Sequence, residues 1–152
     1  MNSNLKNSLS MDFAYPARLR RESEGGYVVT FPDLPDAVTQ GDSPDDAIGM
    51  AADCLAETIG ARIAERDDIP MPSPVKRGQV RIAVPAHVAF KAALYVAMRQ
   101  QGVSLSELAR SLGGQPLQVR RLLDPGRASS MKRIDRALAV MGRRVRVSLE
   151  PV

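Results

Sequence analysis

The chain has 152 residues, 44% of them apolar and 25% charged, with a formal net charge of +4. That is room for one domain or two small ones, with the composition of a soluble globular protein. No apolar run approaches the length needed to span a bilayer, and the single cysteine, Cys54, rules out an intrachain disulfide and fits a reducing cytoplasm. Trp is absent, so the core must be built from aliphatic residues, Ala and Met. The net charge conceals a division. Residues 1–75 hold six Lys/Arg and 13 Asp/Glu, a balance of −7, whereas residues 76–152 hold 15 Lys/Arg and four Asp/Glu, a balance of +11. Two parts with two kinds of partner are expected: a polyanion for the basic half, a basic protein for the acidic one.

The first ten residues are polar and lack the apolar centre of a secretory signal, which suggests a loose leader. From Phe13 to Leu19 the residues alternate in polarity, the period of a strand. Pro16 within it cannot donate a ladder hydrogen bond, so at least a local edge is expected. Glu24-Gly25-Gly26 is a turn, and Tyr27 to Phe31 alternates as a second strand, pairing with the first as a hairpin. Phe31-Pro-Asp-Leu-Pro35 reads as a break, with a short third strand over Ala37–Gly41. Ser43, Pro44, Asp45 and Asp46 then start a helix: a cap, a proline at the first position, and acids beside the positive dipole end. Ile48, Ala51, Ala52, Leu55, Ile59 and Ile63 form its expected apolar stripe, to about Arg66, covering one face of the small sheet.

Residues 67–79 contain Pro70, Pro72 and Pro74, an extended, semi-rigid linker. Val80, Ile82 and Val84 alternate with polar neighbours and could add a fourth strand to the N-terminal sheet. The expected domains are therefore 11–84 and 85–152. Neither half reads as an enzyme. No Ser/His/Asp or Cys/His set is available for nucleophilic chemistry, and there is no phosphate-binding glycine loop. The first two strands carry none of the carboxylates that two-metal nuclease chemistry requires. Asp33, Asp36, Asp42, Asp45 and Asp46 fall in turns and a cap, where Asp has conformational work. No catalytic residue, metal or cofactor is expected.

Pro85 opens a helix marked by Val88, Lys91, Ala92 and Tyr95 that stops near Gln101-Gly102. His87, in its first turn, is expected to be an ordinary surface residue. Ser104 and Glu107 have the spacing of a capping box, with Val103 and Leu108 spaced as a hydrophobic staple. Gly113-Gly114 ends that short helix, and Pro116 begins another carrying Val119, Leu122 and Leu123 inward. A small Ala109, a Gly four residues on, and Val then Leu at helical spacing form the pattern of a helix-turn-helix. A further helix runs from Ser129 or Ser130 to Met141. Arg143 to Leu149 then switches to period two. A lone terminal strand must pair, either with its copy in a two-fold dimer or with Val80–Val84.

The polar residues around the turn suit DNA. Gln115, Leu117, Arg120 and Arg121 are expected to face base edges; Gln118, Ser104 and Ser106 suit the phosphate backbone. Arg127 adds to the phosphate field, with Lys132 and Arg133. A homodimer or higher even oligomer would present two such helices to a palindrome.

Tyr27-Val-Val-Thr-Phe-Pro-Asp-Leu-Pro35, then Thr39-Gln-Gly-Asp-Ser-Pro-Asp-Asp-Ala47 and a helix with spaced alanines, resembles the HicB family of antitoxins. Asp36 stands where that family commonly has Gly. Lys91-Ala-Ala-Leu-Tyr95 and Val119-Arg-Arg-Leu-Leu-Asp124 resemble the subgroup ending in a phage-repressor-type helix-turn-helix. The resemblance implies an α+β protein: an N-terminal βββαβ unit, partly ribonuclease-H-like and catalytically empty, then an all-α helix-turn-helix domain with a terminal strand. It implies a toxin partner of the HicA type, a small basic mRNA interferase, and operator DNA as the second ligand. A different class of reading is a stand-alone DNA-binding regulator with an N-terminal ligand-sensing or oligomerisation domain.

Overall fold

The computed structural model describes residues 10–152, so the expected leader lies outside the described residues except for Ser10. The elements run β1 (Ala14–Arg21), β2 (Tyr27–Phe31), β3 (Leu34–Gly41), α1 (Pro44–Glu65), β4 (Val80–Ala83), α2 (Ala86–Gln101), α3 (Leu105–Leu112), α4 (Pro116–Leu123) and α5 (Met131–Val140). The fold is α+β. By contacts it divides into two units, Met1–Thr58 with Pro70–Pro85, and Ile59–Ile69 with Ala86–Val152.

The first unit is built on a four-stranded antiparallel sheet in the order β3-β2-β1-β4. The alternating run at Val80 does join this sheet, pairing Val80 with Ala17 and Ala83 with Ala14. β1 is split in its pairing. Ala14–Ala17 bonds to β4 and Arg18–Arg21 to β2, so Pro16 has a ladder on one side only. That half-edge is why a proline fits inside a sheet whose outer strands are β3 and β4.

Two expectations here are corrected. The third strand begins at Leu34, not Ala37, because the break is only the two-residue turn Pro32-Asp33. Pro35 is part of β3, an edge strand that tolerates a missing N–H, and the ladder absorbs the misfit as a register shift at Thr30/Phe31. The stripe of α1 is otherwise as expected but differs at its first position and at the half-buried Ala52. Ala47, Ala51, Leu55, Ile59 and Ile63 are the buried row, and Ile48 is 40% exposed. Gly41 explains the first position: a Cβ there would sit 2.4 Å from the Ala47 backbone nitrogen, so the strand end and helix start meet where only small residues fit. The helix start itself is as expected. Asp46 N–H donates to Ser43 Oγ at 3.1 Å, and Asp46 Oδ2 accepts the Asp42 N–H at 2.8 Å.

The proline-rich segment is fastened to the first unit. Tyr15, fully buried, donates its hydroxyl to the Pro70 carbonyl at 2.8 Å. Asp33 accepts both the Ser73 N–H, at 2.8 Å, and the Ser73 hydroxyl. The turn aspartate therefore does conformational work across 40 residues of sequence.

The second unit is helical. α2 is its central element, with Leu94 to Met98 buried without interruption and contacts to both α4 and α5. Residues 59–69 pack with it. Tyr95 donates to the Asp67 carbonyl at 2.7 Å, while Arg99 reaches the Asp68 carboxylate through Nε at 2.9 Å and the Arg66 carbonyl through Nη1 at 2.9 Å. Its guanidinium carbon lies 5.6 Å from the Tyr95 ring centroid. The Asp68 carboxylate raises the Arg99 pKa.

Four helices end alike. At α1, α2 and α3 the residue after the last, and at α5 the second residue after it, carries a positive φ: Arg66 at 61°, Gly102 at 64°, Gly113 at 70° and Gly142 at 69°. Its N–H and the next residue's N–H fold back onto the last-turn carbonyls, as Gly113 to Arg110 and Gly114 to Ala109, which is the Schellman closure. Residues 143–149 follow without a ladder partner among the described residues; Val147 is 73% and Leu149 96% exposed. Among the described strands β4 has β1 as its one neighbour, so the alternative pairing with Val80–Val84 is not formed.

Candidate nucleic-acid interface

The basic half presents two short helices joined by a tight turn. α3 opens on the capping box read from the sequence: Glu107 N–H donates to Ser104 Oγ at 3.1 Å, and Ser104 N–H donates to Glu107 Oε2 at 2.8 Å. Leu108 and Ala109 are buried to 1% exposure. The small Ala109 lets α3 and α4 approach, and these two helices are in contact. Gly113 supplies the left-handed residue that turns the chain.

α4 starts at Pro116, whose missing N–H would have had no helical partner. Gln118 closes its first turn: Oε1 accepts the Gln115 N–H at 2.9 Å, while Gln118 N–H donates to the Gln115 carbonyl at 3.0 Å. Its side chain passes over Gly114, where a Cβ would lie 2.2 Å from that Oε1. This cap was not legible from residue types. It engages one lone pair of the Gln118 carbonyl oxygen and leaves the amide NH2 free to donate, which suits a phosphate oxygen.

All eight residues expected to face DNA are exposed: Ser104, Ser106, Gln115, Leu117, Gln118, Arg120, Arg121 and Arg127. Five lie on or cap α4, the two serines lie at the start of α3, and Arg127 lies on the α4–α5 connection. Val119, Leu122 and Leu123 are buried on the opposite side of α4. Among the described residues neither Arg120 nor Arg121 forms an ion pair. Arg127 does, through Nε 3.5 Å from Asp124 Oδ2. That aspartate also accepts the Gly126 N–H at 2.9 Å and so shapes the connection.

The buried ammonium of Lys91 was missed as a determinant of this region. Lys91 is 3% exposed and donates from Nζ to Ser129 Oγ on the α4–α5 connection. Burial lowers its pKa, and the Asp124 carboxylate partly opposes the shift. The available signal was its place in the stripe with Val88, Ala92 and Tyr95.

Elsewhere the chemistry is sparse. Among the described residues no cluster of three His, Cys, Asp or Glu side chains is arranged to hold a metal, and no helix is long and apolar enough to cross a membrane. Cys54 is half-buried with Sγ 3.8 Å from the Val38 carbonyl, and burial pushes its thiol pKa up. Asp45, Asp46, Asp53 and Glu57 are exposed along α1, beside the exposed Ile48 and Met50.

Residues 14–93 match the HicB-like antitoxin family of bacterial toxin–antitoxin systems. The chain belongs to the HicB-like antitoxin family. It is 34% identical over 135 residues to Antitoxin HicB 2 of Photorhabdus laumondii, covering 89% of this chain and 95% of that relative. It is 33% identical over 129 residues to Antitoxin HicB of Escherichia coli K12, covering 85% and 94%, and 30% identical over 142 residues to Antitoxin HicB of Pseudomonas fluorescens, covering 93% and 97%. HicB-family proteins are named as antitoxins, not as enzymes.

Proposed function

We propose that this chain is the antitoxin of a type II toxin–antitoxin pair and the repressor of its own operon, acting in the cytoplasm. Its acidic module, residues 11–84, covers the active surface of a HicA-like mRNA interferase. Its basic module, residues 85–152, binds operator DNA through α3 and α4 as a helix-turn-helix. The observation that carries the reading is the charge division, −7 against +11, coupled to a helix whose outer face holds Arg120 and Arg121 opposite its buried row. A basic nuclease and an acidic antitoxin attract at long range, which speeds encounter. Arginines on an exposed helix meet phosphates and guanine edges.

Residues 143–149 supply the dimer. Two copies pair this segment antiparallel, burying Val145, Val147 and Leu149 and satisfying a backbone that has no ladder among the described residues of one chain. The resulting homodimer, or an even multiple of it, sets two α4 helices about one DNA turn apart.

The test is co-expression with the small basic reading frame adjacent to the gene, followed by pull-down and operator binding. Arg121→Ala and Gln115→Ala are expected to lose operator binding while still retaining the toxin. Equal loss of both activities in a folded variant would sink the two-module reading.

A further inference from the structure

We infer that Leu117 and Arg121 together read one T·A pair and one G·C pair, no more than two base steps apart, in each operator half-site. The inference rests on the DNA-binding reading above and narrows it to a recognisable sequence element.

The geometry of α4 singles out this pair. Val119, Leu122 and Leu123 set its buried side. At 3.6 residues per turn, Leu117 and Arg121 each fall within roughly 30° of the opposite pole, while Gln118 and Arg120 lie on the flanks. The two outermost side chains are thus one turn apart, about 6 Å along the axis. Stacked bases repeat about every 3.4 Å, so neighbouring tips reach bases one or two steps apart.

Each tip has a distinct chemistry. Leu117 is a large apolar side chain, 52% exposed, on a helix whose other exposed positions are Pro116, Gln118, Arg120 and Arg121. The Gln118 side chain does not compete for its surface, because it is folded back onto the Gln115 N–H. The sequence has no acid between Glu107 and Asp124. A partner for this patch must therefore be anionic around its edge and apolar at its centre. The major groove meets both demands where a thymine presents its C5 methyl between phosphate rows. Arg121 forms no ion pair among the described residues, so its guanidinium is available for the bidentate contact to guanine O6 and N7.

The test uses the full-length chain and a duplex of the promoter segment upstream of its gene, with the site located by footprinting. Each thymine is replaced singly by deoxyuridine, which deletes the methyl and keeps every hydrogen bond. Removing one methyl from an apolar contact corresponds to about a fourfold loss in affinity per half-site. One thymine per half-site is expected to show that loss with the wild type and none with Leu117→Ala. Replacing guanines singly by 7-deazaguanine should expose one guanine, within two steps of that thymine, whose effect vanishes in Arg121→Ala. Leu117 is exposed, so the alanine variant is expected to fold, and far-UV circular dichroism checks it. If the chain binds the segment but Leu117→Ala changes the response to no thymine, the inference is overturned. If Leu117→Ala instead weakens toxin capture and leaves DNA affinity intact, the patch faces protein and the inference also fails. If the wild type binds no DNA at all, the repressor reading falls first.

Discussion

Replacing Gly113 by alanine tests the turn that aims α4. Gly113 holds φ at 70°, and an added Cβ would meet nothing within 4 Å. The cost is therefore conformational and not steric. An L-residue in the left-handed region costs about 1–2 kcal/mol, and a less flexible unfolded chain returns about 0.4–1 kcal/mol. The net destabilisation is about 1 kcal/mol, which lowers Tm by about 4–8 °C for a domain of this size class. Calorimetry and circular dichroism at 222 nm would measure it. Operator affinity well below Tm should change by less than about twofold, because a 1 kcal/mol loss leaves a protein of ordinary stability almost wholly folded. D-alanine at the same position, introduced by semisynthesis, should instead stabilise, since its preferred φ is positive. An unchanged Tm for the L-variant, or a loss above about 3 kcal/mol, would refute the reasoning.

Other outcomes follow from neighbouring features. Arg66 occupies in α1 the position that Gly113 occupies in α3, at φ 61°. Arg66→Gly should therefore raise stability by about 0.5–1 kcal/mol in urea titrations, since the Arg99 bond goes to its backbone carbonyl. Lys91 has a lowered pKa, so its charge costs stability while the pH lies below the folded value. Raising the pH towards the ordinary lysine value of 10.5 removes that cost. Stability of the wild type relative to Lys91→Met should thus rise with pH across that window, and a difference that is flat with pH would count against a strained buried ammonium. In a Cys54→Ser background, Val147→Cys should form an interchain disulfide under mild oxidation, faster than Arg146→Cys. A two-fold centred on Val147 sets Val145 against Leu149 of the second copy, whereas centring on Arg146 opposes two guanidinium groups.

The elements most legible in the sequence are those whose signals are local. The Ser43 and Ser104 caps, the Gly113 turn, the inward set Val119, Leu122 and Leu123, and the β4 alternation all depend on residues within a few positions of one another. What was misread depends on partners far along the chain. Leu34-Pro35 looked like a break because a proline is tolerated in a strand only when that strand is an edge, which is a property of the sheet order. At the start of the α1 row Ile48 was read in place of Ala47, because apolarity favours the larger residue while the close approach at Gly41 admits only the smaller one. Lys91 was read only as marking a helical turn with Val88, Ala92 and Tyr95, and its burial was not legible because its partner Ser129 lies 38 residues away. The Gln118 cap escaped because residue type alone does not say whether an amide turns outward or back onto its own helix.

The assignment of Ile59–Ile69 to the helical unit bears on how such proteins can be cut and recombined. The composition invites a cut in the proline-rich segment or at Pro85. A fragment starting there would lose the buried Ile59, Ile63 and Ile69 from its own core. It would also leave the Tyr95 hydroxyl and the Arg99 guanidinium without the carbonyls and carboxylate they hold. The complementary fragment would carry those three isoleucines without the helical unit they pack in. A graft of this helical unit onto another N-terminal domain must therefore bring along the last turns of α1, so the unit of exchange is discontinuous in the gene although it is compact in the protein.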